Sequence, residues 1–409
     1  MNIVNIGTEI IILKVFLALL MPAGFALLAT GLCRDKNAAH TMFMTFFGSI
    51  IAVAGFWICG LVFTVRDLGV AHLFLRNQTY DPDLYLGFIS FLPAVIVATC
   101  IPIGALAERW RLKSFYVYAL FMSTVLFPVF VRWTWGGGWL ATFGRDFIDV
   151  AGSGVVHALA GLCALAGVLV IGPRHGRYSK NGAINPIPAH NVPLALLGNF
   201  LLAVGWFGFN TIRSLDAGGA SNIDLVATTT ALAGAGGAIA AAVYMTITTR
   251  RPDPTLVANG LMAGLVASSA SVGLVGPNAA FLIGAVSGLL VCLAVNWLDR
   301  FRVDDPVGAI AVHGCGGLWG VLAAGLFAHG AYGASVNVRG LFRGDAGQAL
   351  VQIVGCGALL VWAFGGSWVF FKVLDRVVPL RVEPEVEIGG LDSPETGLLA
   401  YPRSERPGG

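Results

Sequence analysis

Charge is what this sequence has least of. Only 11% of its 409 residues are Asp, Glu, Lys or Arg, against roughly 25% in a soluble domain, and that scarcity excludes an ordinary water-soluble globule. What remains is 56% hydrophobic with 54 glycines, the composition of a chain that crosses a bilayer repeatedly and lets its helices approach at small residues. The net charge of +3 is scattered among loops and builds no basic surface for nucleic acid. Seven cysteines (Cys33, Cys59, Cys100, Cys163, Cys292, Cys315, Cys356) lie in or beside apolar runs without metal-ligand spacing, and they read as small buried residues. Met1–Glu9 offers no basic n-region, and the apolar run after it continues past Leu28, so no cleavable signal peptide is expected. No cofactor-binding loop and no acid–base or nucleophile constellation occurs, so neither a cofactor, a metal site nor an enzyme is expected.

A membrane span needs about 20 apolar residues. Eleven such stretches can be placed, at about 10–31, 41–64, 86–106, 115–133, 150–172, 192–212, 223–247, 255–275, 279–297, 307–329 and 347–371. The fold class is therefore an all-α integral membrane protein of eleven transmembrane helices. Lys14 and Glu9, near the start of the first span, are expected to snorkel to the interface. Alternate loops hold Arg34 and Lys36; Arg109, Arg111 and Lys113; Arg174, Arg177 and Lys180; Arg250 and Arg251; Arg300 and Arg302; Lys372, Arg376 and Arg381. That excess of positive charge marks the cytoplasmic side, which puts the N-terminus outside and the C-terminus inside. Residues 1–375 then form one membrane domain and 376–409 a polar cytoplasmic tail, open to two readings, a regulatory segment or simply solvated chain.

Within the apolar runs two histidines recur in one pattern. Asp149–Leu162 and Asp305–Leu318 align without a gap as Asp, then Val-His eight residues on, then Gly-Leu, which is an internal repeat. An ionisable side chain inside a span is costly and suggests function, so His157 and His313 at matched positions carry the strongest signal in the chain. Units of five spans, an odd number, must lie inverted in the membrane, an arrangement common in transporters; the repeats run over about 9–172 and 190–329, followed by a final span at 347–371. Eight helical residues carry a side chain about 12 Å into a core of about 30 Å. Entering from opposite faces, the two histidines would meet near the midplane. Asp149 and Asp305 read as N-caps of their helices, Pro306 suits a first turn, and Asp149, at the outer mouth, could also favour a cation.

Several motifs, in order, resemble the ammonium transporter / methylamine permease / Rhesus family. They are Gly104–Arg109 (Gly-Ala-Leu-Ala-Glu-Arg), Trp135–Gly138, Asp149–His157, His190–Pro193, Gly205–Asn210 (Gly-Trp-Phe-Gly-Phe-Asn), Asp304–Pro306, Val312–Gly314, and the tail residues Gly390–Asp392 with Gly397. The resemblance runs from about residue 9 to 401. It implies an eleven-span bundle of inverted five-span repeats, a homotrimer with one pore per subunit, a place in the cell (inner or plasma) membrane, and transport of ammonium or ammonia. By the same resemblance Trp135 is the outer aromatic that holds a cation over its ring, although an interfacial-belt tryptophan is the bland alternative. His157 and His313 are the twin histidines of the lumen, able to donate and accept and so to relay protons. Phe209 is a gate phenylalanine, Trp206 a wall aromatic, and Ser268 and Ser269 bring hydroxyls near the vestibule. In bacterial members a PII-type signalling protein is a partner at the cytoplasmic face.

The chain departs from that pattern at two places. The outer gate phenylalanine is expected ten residues before Gly104, where Ala94 stands, with Phe91 one helical turn earlier. The serine that would recruit the cation is expected at 213, which is Arg213, with Ser214 next to it and Asp216 near enough to pair with the arginine. The expected function is recruitment of ammonium at an outer aromatic site (Trp135, Ser214, Asp149), deprotonation, and passage of ammonia past His157 and His313. Two alternatives stand beside it: an ammonium-binding sensor with little conduction, and a channel for a neutral gas or amine.

Overall fold

The computed structural model describes residues 6–65, 67–77, 79–212, 222–332 and 338–402. Its helices run α1 Thr8–Leu32, α2 Asp35–Thr64, α3 Pro82–Leu106, α4 Leu112–Trp133, α5 Ser153–Ile171, α6 Val192–Ile212, α7 Ile223–Thr249, α8 Pro254–Ser268, α9 Pro277–Arg300, α10 Ile310–Phe327 and α11 Ala346–Val377. Ten are long and apolar enough to cross a membrane, α8 is the shorter eleventh, and no strand is formed among the described residues. The protein is an all-α, multi-pass membrane protein. Ser214, Arg213 and Asp216 lie outside the described residues.

The helices pack as the glycine content requires. The crossing of α5 with α10 is the one that positions the histidines, and it is made at Gly161 and Gly314. A Cβ added to Gly161 would come within 2.2 Å of the Gly314 backbone nitrogen, so no larger residue fits and the two backbones touch one turn beyond His157.

Three expectations are corrected here. The eighth span was expected over 255–275, but α8 stops at Ser268. Beyond it the chain turns through Ser269–Ser271 and the left-handed Gly273 (φ 73°), serine hydroxyls and a glycine being better suited to turns than to a continuing helix. Second, Lys14 does not snorkel: it is buried, and its Nζ donates to the Thr211 carbonyl at 3.0 Å. That carbonyl lies in the last turn of α6, where backbone acceptors have no partner within the helix and favour a cation. Third, Cys315 is exposed and Cys59 and Cys356 are half-buried; a cysteine on the outer face of a span needs only to be apolar.

Residues beyond α11 are held against the end of the bundle. A short helix, α12 Pro384–Gly389, places Glu387 and, just after it, Leu391 and Asp392 in buried positions. Arg381 pairs with Glu387 at 2.8 Å and donates to the carbonyls of Ile171 and Pro173 at the end of α5. Glu387 accepts from the His175 amide at 2.6 Å, Asp392 from the His40 amide at 2.9 Å, and Lys36 donates to the carbonyls of Glu387 and Ile388. The tail thus makes direct contacts with the bundle from Arg381 to Asp392.

Candidate functional site

Both histidine helices begin in the same way. Gly152 and Gly308 stand three residues after Asp149 and Asp305 with φ of 98° and 78°, a left-handed conformation that glycine adopts without strain. The turn lets each carboxylate reach forward. Asp149 accepts from the amides of Gly152, Gly154 and Val155 at 3.1, 2.9 and 2.7 Å, and Asp305 from those of Ala309 and Ile310 at 2.9 and 2.7 Å. The eight residues from each Asp to its histidine are therefore a turn followed by a helix start. The depth of His157 and His313 comes from the turn and only four or five helical residues, not from an eight-residue helical rise. Each histidine then falls within a π-helical segment, Ser153–Ala158 and Ile310–Cys315, the widened turn that recurs at functional sites.

Burial pushes the Asp149 carboxyl up to about 6, against the backbone amides of Val155, Gly154 and Gly152 that favour its charge. Asp305 is likewise raised by burial to about 6, against Ile310 and Ala309. Asp149 is 3% exposed, and its carboxyl oxygens are engaged by the amides of the helix start.

The two histidines meet. Nδ1 of His157 lies 3.3 Å from Nδ1 of His313, with ring centroids 5.2 Å apart and planes 23° from parallel. Trp206 stacks on His157 at 4.9 Å and 19°, and Phe209 lies tilted against it at 5.6 Å. Phe25 plays the corresponding part for His313 at 5.7 Å. His157 Nε2 is buried and has no hydrogen-bond partner among the described residues. An Nδ1–Nδ1 bond requires opposite tautomers: one ring donates through Nδ1 and keeps a bare Nε2, and the other accepts and carries its proton on Nε2.

A polar chain whose links sequence reasoning did not find holds this stack. Trp206 Nε1 donates to Ser269 Oγ at 3.1 Å, Ser269 donates to Asn210 Oδ1 at 2.9 Å, and Asn210 Nδ2 donates to Thr230 Oγ1 at 2.9 Å. The break in α8 also frees backbone groups for the entry to α5: the amides of Val150 and Ala151 donate to Ala270 and Ser269, and Ser153 Oγ bridges the Val266 carbonyl and the Ala270 amide. Ser269 thus touches both the tryptophan against His157 and the strand of chain that leads to it. Ser269→Ala leaves the Trp206 N–H and the Asn210 oxygen without their partner in a buried place. It is expected to lower stability by about 1–3 kcal/mol, read as a drop in melting temperature in detergent that Ser269→Thr does not reproduce. An unchanged melt would remove the serine from the account.

Trp135 and Phe91 sit together on the side away from α12. Their centroids are 6.3 Å apart, and both line an open cavity with Thr64, Asp67, Asp83 and Ser90. The Trp135 indole donates to the Asp149 carbonyl at 2.7 Å, so its ring is fixed to the loop that enters α5. Ala94 is buried, while Phe91 is partly exposed and also contacts Phe56 at 6.0 Å. On the opposite side of His313 lies a narrow second cavity of about 20 Å³, room for about one molecule the size of water. No group of three metal-ligating side chains occurs among the described residues. A motif search for ionisable residues finds the histidines. It has no signal for Phe25, and it named Ser269 and Asn210 only through the family resemblance, without the hydrogen bonds that join them to Trp206 and Thr230 across distant helices.

Comparison with known proteins follows the same lines. The profile of the Ammonium Transporter Family matches residues 9–401. The chain is 37% identical over 405 residues to ammonium transporter Amt2 of Archaeoglobus fulgidus, across 95% of this chain and 86% of that one. It is 33% identical over 390 residues to ammonium transporter Amt1 of Methanocaldococcus jannaschii, across 93% of each. Among solved structures, one described as a sensor Amt protein superposes with a TM-score of 0.89 at 33% identity, over 96% of this chain and 98% of that one. Saccharomyces cerevisiae Mep2 superposes at 0.82 and 23% identity, over 92% and 87%, a likeness of fold.

Proposed function

The chain belongs to the ammonium transporter family, and from that premise we propose that it moves ammonium across the membrane through a pore centred on His157 and His313. The observation that carries the proposal is the buried Nδ1–Nδ1 contact of two imidazoles between aromatic walls. Ammonium resembles potassium in size and charge, so a site that reads charge alone cannot separate them. A pore that removes a proton can, because potassium has none to give. Trp135 holds the cation over its ring face, with Phe91 beside it. Ammonium then splits into ammonia and a proton. Ammonia passes the histidines while the proton crosses through them, entering at a bare Nε2, crossing the shared Nδ1–Nδ1 bond and leaving from the other Nε2. On the far side ammonia and proton recombine, so the sum of the two fluxes is one ammonium ion.

The proposal extends to the setting of the pore: N-terminus outside and C-terminus inside, repeats of about 9–172 and 190–329, Ser214 as a hydroxyl at the outer site, and a homotrimer. A PII-type regulator is proposed at the cytoplasmic face, where Lys36, Arg381, Glu387 and Asp392 hold the tail against the inner loops. A second reading, an ammonium sensor that conducts little, is favoured by the likeness to the protein described as a sensor Amt protein.

The deciding test is current on a solid-supported membrane carrying the protein in liposomes, after equal pulses of ammonium and potassium. Current with ammonium alone is expected. Absence of current while an internal pH dye still reports ammonia entry would move the reading to a neutral-gas channel. Retained ammonium binding without flux by either readout would move it to the sensor.

A further inference from the structure

The cavity beyond His313 is walled almost entirely by hydrocarbon and backbone. Of its lining residues, besides the Cys100 thiol, only His313 and Asn259 carry strong hydrogen-bonding side chains. Asn259 is 8% exposed, and its Nδ2 donates to the Val307 carbonyl at 3.1 Å. That bond settles which way the amide faces, since a carbonyl can only accept. A Cβ added to Gly308 would meet Nδ2 at 2.5 Å but Oδ1 only at 4.0 Å, so the oxygen is turned away from that loop. No protein donor reaches Oδ1 among the described residues, and it is not one of the polar atoms sealed inside the protein, so the oxygen is open to take a donor from the cavity that Asn259 lines.

Resting on the reading of this channel as an ammonia pore, we infer that Asn259 is an exit subsite whose Oδ1 accepts an N–H from the ammonia or ammonium that has just left His313. The chemistry suits that place. Ammonia brings three N–H donors into a cavity that otherwise offers only the imidazole, and an amide oxygen can accept one without charge. A carboxylate there would hold the recombined cation as an ion pair in a low-dielectric wall and slow its departure; a hydrocarbon would leave a step with no acceptor. Asn259 also touches Val307, the residue before the left-handed Gly308 that starts the His313 helix. The same side chain that receives the substrate therefore holds the loop that sets His313.

A purely structural asparagine and an exit subsite are separated by substrate. Methylamine has one N–H fewer than ammonia and a methyl group that tolerates an apolar wall. In liposomes, Asn259→Leu is expected to lower the ammonium-evoked current about tenfold, the worth of one hydrogen bond at the upper end of the usual range. The methylammonium-evoked current should fall only about threefold, so their ratio shifts by about threefold. Asn259→Gln, which keeps the amide, should hold the wild-type ratio. If Asn259→Leu does not assemble, Asn259→Ala, which also removes the acceptor, carries the same comparison. Equal loss of both currents, or no loss, overturns the subsite while leaving the pore reading intact. A wild-type protein without ammonium-evoked current overturns the pore reading and this inference with it.

Discussion

His157→Ala is expected to cut the ratio of ammonium-evoked to potassium-evoked current by about 100-fold or more, the range over which a positioned proton-transfer group acts. The geometry makes His157 the harder of the pair to lose. It is fully buried between the Trp206 ring at 4.9 Å and His313 at 5.2 Å. Its removal deprives the indole of its stacking partner and His313 of its only ring-nitrogen contact among the described residues. A proton can then no longer cross by the shared Nδ1–Nδ1 bond, and the discrimination that depends on losing a proton goes with it. Because the two imidazoles act as one unit, the effects should not add: His157→Ala with His313→Ala should be little worse than the more harmful single change. A ratio unchanged in His157→Ala, with the protein still folded and monodisperse, would show that selectivity is set elsewhere.

What could be read in the sequence was whatever repeats or stands out against an apolar background. His157 and His313 did both, and the aspartates eight residues before them shared their spacing. Ten long apolar runs were legible for the same reason: length and composition are local. The missed features depend on where distant segments end. The stop of α8 at Ser268 follows from a serine run that in isolation reads as a tolerable stretch of span. Its consequence, carbonyls and amides turned to Val150, Ala151 and Ser153, exists only once α5 and α8 are side by side. Phe25 and Asn259 sit in apolar or small-residue runs with no spacing to mark them. Lys14 looked like an interfacial lysine because nothing in the sequence says that α6 ends beside it. The tail's many charges suggested solvation, yet their partners, Lys36, His175 and the end of α5, were already in the chain some two hundred or more residues earlier.

Arg174→Ala is expected to destabilise the protein by about 3–5 kcal/mol, the cost of leaving buried charges without their partner. Arg174 lies after α5 and is 5% exposed. It pairs with Asp304 at 2.8 Å and with Glu108 at 2.5 Å, both almost wholly buried. Glu108 also meets Arg34 and, at 2.8 Å, Asn37, and Arg109 reaches the Asp304 carbonyl at 2.8 Å. The cluster thus joins the ends of α3 and α5 to the residue just before the Asp305 cap. Burial by itself would raise the Asp304 carboxyl, but the Arg174 hydrogen bond and the charges of Arg109 and Arg174 overturn it and hold the group at about 2. Glu108 is held low in the same way: burial opposes its charge, and Arg174 and Arg34 outweigh it. A carboxylate whose pKa is depressed on folding stabilises fully above its unfolded value and loses that contribution as pH falls through its folded value. For Asp304 the window runs from about 4, the unfolded value, down to about 2. Melting curves in detergent should therefore drop from about pH 4 towards about pH 2 in the wild type. They should drop less in Asp304→Asn, which starts from a lower stability at pH 7 but has no proton left to bind there. Equal acid sensitivity in the two proteins would place the titrating groups elsewhere. Should the Arg174→Ala protein melt like the wild type at pH 7, the cluster would be tolerating its charges rather than joining the two histidine helices.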